Sequence, residues 1–332
     1  MHVEEAELRL RGWAKAHHGP SARIENLRPM PGNAGFSFGF TLRWSQGSEG
    51  LVIRVPPPGA AHHGFADVLR QADVMRVMDV CGIPVPQIRF SAAEDPHLGV
   101  PFYLATFVPG RSTHLFVQER ASSENGAGLE PVFVDAIEQL ARIHDVDWKR
   151  HLPGWSRPKE LTEEIDAWVP TLRKTTNAEW LALGLRVRDR LHSTLPDEPE
   201  ARVVHGDFYS NNWLFDQSEI RAIVDWEIAG IGSPLLDVGW LCMIYDPNSW
   251  GPARHVWSEW TPTVEFIAST YAHFSGRGLD DLDWYRALAG YRLACISARG
   301  VELHRSGKRV DPAWDILGEA VPIMFGRALD LL

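Results

Sequence analysis

The chain has 332 residues, is 45% hydrophobic and 23% charged, and carries a formal net charge of −10. That length buries a sizeable core and suits two lobes better than one, while the acidity excludes nucleic acid as a partner, since phosphate backbones are bound by clustered Lys and Arg. The acidity suits a cationic substrate, and solubility explains it as easily.

No uncharged run is long enough to cross a bilayer, so no membrane partner is expected. The start, Met1-His-Val-Glu-Glu-Ala-Glu, lacks the apolar core of a signal peptide. Cys81, Cys242 and Cys295 are scattered among apolar neighbours, which predicts buried thiols in a reducing cytoplasm, not disulfides or a zinc site.

In chain order, residues 4–18 read as a helix with Leu8, Leu10 and Trp13 on its apolar side, closed by Gly19-Pro20. A strand follows at 24–27. The glycine-rich stretch Pro31-Gly32-Asn33-Ala34-Gly35-Phe36-Ser37-Phe38-Gly39 then precedes the strand 40–44. Such a turn either forms a plain hairpin or lays backbone N–H groups over phosphate oxygens. It also contains Gly35-x-Ser37-x-Gly39, the spacing of a hydrolase nucleophile elbow, but that elbow needs a helix directly after the Ser and here a β-like run follows. Residues 50–55 form a strand stopped by Pro56-Pro57-Pro58. Its cation, Arg54, is either a solvated strand-end charge or a guanidinium fork for phosphate.

Residues 65–80 read as a helix with Val68, Ala72, Met75 and Met78 at helical spacing, and Gln71 lies on the same inward stripe. Strands at 87–90 and 100–108 follow, then the breaker Pro109-Gly110. A helix is predicted over 131–144, two more between 159 and 195, one continuing through 238–245, and two at 257–274 and 280–299. The pairs His17-His18 and His62-His63 lack carboxylates at metal spacing and read as surface residues.

The densest chemistry lies between Arg202 and Leu241. Two β-branched runs, 202–204 and 220–224, read as short buried strands with Asp207 and Asp225 beyond their C-terminal ends, and a loop between them carries Asn212. A carboxylate able to accept a hydroxyl proton, with an amide oxygen and a second carboxylate able to hold Mg²⁺, supplies the parts of phosphoryl transfer.

This segment resembles the aminoglycoside phosphotransferase family, small-molecule kinases with a protein-kinase-like fold. The resemblance rests on His205-Gly206-Asp207, Asn212, Asp225-Trp226-Glu227 and Gly232-Ser233-Pro234 followed by Asp237. It implies an α+β, bilobal protein-kinase-like fold, with a small β-rich nucleotide-binding lobe over 1–108 and a larger, mostly helical catalytic and substrate lobe over 109–332. It further implies Asp207 as the base, Asn212 and Asp225 as Mg²⁺ ligands, and His205, Glu227 and Asp237 as structural support. The nucleotide, ATP or GTP, would be held by Arg54, Gln71, Ser37 and the backbone of Gly32, Asn33, Ala34 and Gly35, with Thr106 and Val108 at the adenine edge.

Two departures from the family pattern are visible. Ser233 stands where Asp is usual, and Gln71 stands where related kinases carry the Glu that pairs with the strand cation. Gln71, with Asp67 one turn earlier as an alternative, is therefore the expected partner of Arg54. The helix ending at His144 resembles a structural element of the family, and the C-terminal helices resemble the kinase domains that accompany some acyl-CoA dehydrogenases.

The implied activity is Mg²⁺-dependent transfer of a γ-phosphate to a hydroxyl of a small molecule; the alternative is a nucleotide-binding pseudokinase or scaffold without turnover. Acceptor contacts are expected from Trp168, Glu227, Trp240 and the region 257–274.

Overall fold

A computed structural model describes residues 3–30, 36–57, 59, 64–113, 128–197, 200–251 and 260–332. Gly32, Asn33, Ala34, Gly35, His62, His63 and Trp257 lie outside the described residues. The chain divides into two compact units, Met1–Arg111 with Arg221–Ala229, and Ser112–Ile220 with Gly230–Leu332.

The first unit is β-rich. Helix α1 (Val3–His18) leads into strands β1 (Arg23–Pro29), β2 (Phe36–Trp44) and β3 (Gly47–Val55), then helix α2 (Val68–Val80) and strands β4 (Ile88–Ala92) and β5 (Phe102–Thr106). The strands form one sheet in the order β1-β2-β3-β5-β4, with every neighbour antiparallel.

The period-2 alternation of β2 and β3 sends Phe38, Phe40, Leu42, Leu51, Ile53 and Val55 to one face. Ala6, Leu10, Trp13 and Ala14 recur along one stripe of α1 and bury against that set. His17 and His18 end α1, where His17 stacks on Trp13 with ring centroids 4.6 Å apart.

The predicted helix over 65–80 starts later. Residues 64–66 form a 3-10 turn, and Asp67 caps α2 by accepting the Arg70 N–H at 3.0 Å. A carboxylate two or three residues before N3 satisfies a donor the helix itself leaves open.

The second unit is mainly helical. It contains α3 (Glu130–His144), α4 (Trp148–His151), α5 (Leu161–Asp166), α6 (Val169–Leu172) and α7 (Ala178–Ser193), then strands β6 (Arg202–Val204) and β7 (Trp213–Asp216). Strand β8 (Glu219–Ile223) carries the chain into the first unit, and β9 (Gly230–Gly232) returns it. Helices α8 (Leu235–Tyr245), α9 (Val264–Ser275), α10 (Leu282–Arg305) and α11 (Ala313–Leu331) complete the unit.

Where two helices were expected between 159 and 195 there are three, because Pro170 opens α6 and Asn177 restarts the chain by capping α7. Helix α9 begins at Val264 behind its Thr263 cap, later than residue 257, and α11 was not foreseen.

Apart from Asp237, helix α8 is apolar all round, and every residue but Leu236 is buried, as expected of a helix enclosed by others. It runs against α10 at close range. A Cβ placed on Gly239 would stand 2.7 Å from the backbone carbonyl carbon of Tyr285 and 2.8 Å from its oxygen. Gly239→Ala should therefore force the helices apart and destabilise the protein by about 2 kcal/mol, within the range for overpacked cores. A thermal denaturation midpoint equal to wild type would contradict this account of the α8–α10 contact.

Candidate functional site

In the second unit, the site is built on the turn after β6. Strand β6 pairs antiparallel with β9, Val203 facing Ile231, so the apolar 202–204 run anchors the polar residues that follow. Asp237, fully buried in the first turn of α8, accepts the N–H of His205 through Oδ2 and the N–H of Gly206 through Oδ1, both at 2.7 Å.

Gly206 has φ 83°, a left-handed conformation that favours glycine. His144, also fully buried, donates from Nε2 to Asp237 Oδ2 at 3.2 Å, and its Nδ1 accepts from the Tyr271 hydroxyl at 2.6 Å. Burial pushes the His144 imidazole below its ordinary pKa against the opposing pull of Asp237. Burial alone would raise the Asp237 carboxyl; the hydrogen bond from His144 and the backbone N–H of His205 hold it below the usual carboxylate range.

Ser233 is not among the donors to Asp237; its Oγ accepts the N–H of Leu235, the first residue of α8, at 3.2 Å.

Asp207 follows directly. Its N–H reaches His205 Nδ1 at 3.2 Å. The Asn212 side-chain nitrogen donates to both the backbone oxygen and Oδ2 of Asp207, each at 2.9 Å. The amide nitrogen is thereby spent, and among the described residues nothing donates to Asn212 Oδ1. Arg292 on α10 donates from Nη1 to the Gly206 carbonyl at 2.7 Å. Its guanidinium lies 4.2 Å from the Trp240 ring centroid and 5.3 Å from that of Trp168. Within the second unit the structure brings together Asp207, Asn212, His205 and Asp237 by hydrogen bonds, and Arg292 links Gly206 to Trp168 and Trp240. Arg292 was missed, although an arginine beside the buried stripe of Trp284, Leu288, Tyr291 and Cys295 was a signal to follow.

In the first unit, a second cluster surrounds Arg54 on β3. Its cross-strand neighbours are Ser37 and Tyr103. Nη2 lies 2.7 Å from Glu227 Oε2 and 3.5 Å from Asp225 Oδ1, and Nη1 lies 3.4 Å from Ser37 Oγ. The expectation that Gln71 or Asp67 steers Arg54 is corrected here: among the described residues neither is its partner. Asp67 is occupied as a helix cap, and the counter-charge comes from Glu227, 173 positions along the chain.

Gln71 is on the buried stripe of α2, at 2% exposure, as its spacing predicts. Arg70 ties α2 to the same segment by donating to the Ala229 carbonyl at 2.7 Å. Burial pushes the Tyr103 hydroxyl up to about 12, with Arg54 opposing the shift and Asp225 and Glu227 adding to it.

Asp225 has φ 66° and ψ 58°, a left-handed conformation uncommon outside glycine, though Asp adopts it more readily than most residues. Its Oδ1 is buried and accepts no hydrogen bond among the described residues, with Arg54 Nη2 3.5 Å away as its counter-charge. A carboxylate oxygen of this kind suits a hard divalent cation, which takes oxygen ligands; so, within the second unit, does the amide oxygen of Asn212.

Among the described residues no group of three or more His, Cys, Asp and Glu side chains could hold a metal. Of the positions expected at the adenine edge, Thr106 exchanges hydrogen bonds with Gln87. Val108 makes no backbone hydrogen bond among the described residues, which leaves its N–H and carbonyl available.

Residues 30–292 match the phosphotransferase enzyme family. Acyl-CoA dehydrogenase family member 10 of Mus musculus is 28% identical over 262 residues, covering 74% of this chain and 24% of that protein. Family member 11 of Gallus gallus is 24% identical over 273 residues, covering 77% and 34%. The chain thus spans about a quarter to a third of the length of these curated relatives.

An aminoglycoside phosphotransferase-like protein of Ralstonia eutropha JMP134 superposes with a TM-score of 0.77 at 20% identity, covering 97% of both chains. The thermostable aminoglycoside phosphotransferase APH(4)-Ia in ternary complex with AMP-PNP and hygromycin B gives 0.62 at 17% identity, again over 97% of both chains. These likenesses show the α+β kinase-like fold. With most of its length matched, the chain belongs to the phosphotransferase enzyme family.

Proposed function

We propose that the chain transfers the γ-phosphate of ATP or GTP to a hydroxyl of a small molecule. The carrying observation is the state of Asp207 and Asn212. Backbone N–H groups on the two residues before Asp207 are fixed by Asp237, and the amide of Asn212 is turned by Asp207 so that its oxygen is free. A carboxylate so placed can accept the proton of an acceptor hydroxyl, and little covalent help is needed beyond positioning and charge neutralisation.

Asn212 and Asp225 would hold Mg²⁺, which when bound neutralises charge on the nucleotide phosphates. Arg54 would bind the same phosphates through its planar fork. Ser37 and the backbone of residues 32–35 would cover the nucleotide, with Val108 at the adenine edge. In this reading residues 1–108 serve the nucleotide and 109–332 the base and acceptor, with the exception that 221–229 group with the first unit. The APH(4)-Ia structure with AMP-PNP supports nucleotide binding in a chain of this fold.

The rival, a nucleotide-binding scaffold without turnover, drew its support from Gln71 in place of an acid. Glu227 at 2.7 Å supplies Arg54 with the missing counter-charge, which removes the main reason to prefer it.

Two experiments test the proposal. In Mg²⁺-dependent phosphate transfer from ATP, screened over hydroxylated small molecules, Asp207→Asn should lower kcat on the order of 10²–10⁴-fold, the reach of general-base help. Turnover near wild type in that variant would remove Asp207 from the mechanism. Glu227→Gln should lower kcat/KM for the nucleotide roughly tenfold, the effect of one lost charge-assisted hydrogen bond, while KM for the acceptor stays within about twofold. Unchanged nucleotide parameters would show that Arg54 is positioned by something else.

A further inference from the structure

We propose that Arg292 binds an anionic oxygen of the acceptor, so that the alcohol phosphorylated at Asp207 also carries a carboxylate or a similar oxyanion. The inference deepens the phosphotransfer reading above and rests on Asp207 being the base that meets the acceptor.

A guanidinium presents five N–H donors in a fixed plane and cannot shed its charge. Among the described residues only one donor of Arg292 is used, Nη1 on the Gly206 carbonyl at 2.7 Å. Nε is buried and has no partner. Among the described residues no carboxylate lies within ion-pair distance, whereas Arg286 meets Asp246 at 2.7 Å and Arg54 meets Glu227 at 2.7 Å. Asp207, Glu164 and Asp237 act on Arg292 only at longer range.

Because Nε is covered by protein, the donors left for a ligand are the remaining N–H groups of Nη1 and Nη2, none of which has a partner among the described residues. The guanidinium carbon lies over both indoles, 4.2 Å from the Trp240 centroid and 5.3 Å from that of Trp168. Contact with a ring takes up no N–H donor, so the unused donors remain for an anionic partner.

Phosphate oxygens of the nucleotide share this chemistry. The acceptor is favoured because Arg292, Trp168, Trp240 and Asp207 all belong to the second unit, and Asp207 is the group that must meet the acceptor hydroxyl. A fixed cation flanked by indoles also disfavours polycationic acceptors, since like charges brought together without screening repel.

The test is isothermal titration of the full chain with a series of ω-hydroxycarboxylates, the uncharged diols of the same lengths, kanamycin, and AMP-PNP with Mg²⁺. The expected result is that at least one hydroxycarboxylate binds about tenfold or more tightly than its diol, the effect of a hydrogen bond to a charged group. Kanamycin should bind more weakly than that acid. In Arg292→Met the preference should vanish while diol and AMP-PNP affinities stay within about twofold, and Arg292→Lys, which keeps the charge and a donor for Gly206, should restore part of it.

Retained diol binding reports that the pocket in the variant is intact. Four results would overturn the assignment: no saturable binding of any acid, equal binding of acid and diol, an undiminished preference in Arg292→Met, or a loss in that variant confined to AMP-PNP. Failure of Mg²⁺-ATP to phosphorylate a bound hydroxycarboxylate would count against the phosphotransfer reading alone.

Discussion

Two oxygens of one carboxylate organise the catalytic turn. Asp237 accepts consecutive backbone N–H groups, those of His205 and Gly206, at 2.7 Å each. Consecutive peptide donors can share one carboxylate only if the backbone between them turns sharply, and the left-handed Gly206 makes that turn. The carboxylate is itself fixed by the buried His144, which is fixed in turn by Tyr271. Everything the site needs from the second unit is a consequence: Asp207 leaves the turn at a defined angle, Asn212 is oriented by Asp207, and Arg292 holds the remaining carbonyl.

A buried carboxylate is costly unless its lone pairs are met by donors. Asp237 has three such donors, which is why its ionised form is favoured despite burial. The first unit solves a different problem. Arg54 must keep a cation in place without a helix acid, and the sequence supplies Glu227 two residues beyond Asp225. One short segment therefore carries both the carboxylate proposed for the metal and the counter-ion of the arginine proposed for the nucleotide phosphates. Asp225, with its left-handed backbone and an Oδ1 that faces Arg54 at 3.5 Å without a hydrogen bond, is the strained member of that segment, and strain of this kind persists where surrounding contacts overdetermine it.

Much of this was legible in the sequence because the local patterns are strong. The alternation through Phe38, Phe40 and Leu42 and the helical stripe Val68, Gln71, Met75 each encode which side is inward. His205-Gly206-Asp207 and Asp225-Trp226-Glu227 announce their chemistry by residue type and spacing. The parts that were not legible depend on distance along the chain. Nothing near Arg54 in sequence shows that its counter-ion is Glu227. Arg292 likewise acquires its meaning only from Trp168, Trp240 and Gly206. The break between α5, α6 and α7 was obscured because apolar spacing continues across Pro170, and α11 because its stripe follows a polar loop with no motif to draw notice.

The central proposal is that Asn212 and Asp225 each supply an oxygen ligand to Mg²⁺. Titration of Mn²⁺ into the full chain with AMP-PNP present, read as loss of the free-ion electron paramagnetic resonance signal, tests it most directly. The account predicts a nucleotide-dependent Mn²⁺ site that weakens in Asn212→Ala and in Asp225→Ala separately, because each removes an oxygen ligand. Mn²⁺ binding that is independent of nucleotide, or equal to wild type in both variants, would contradict it.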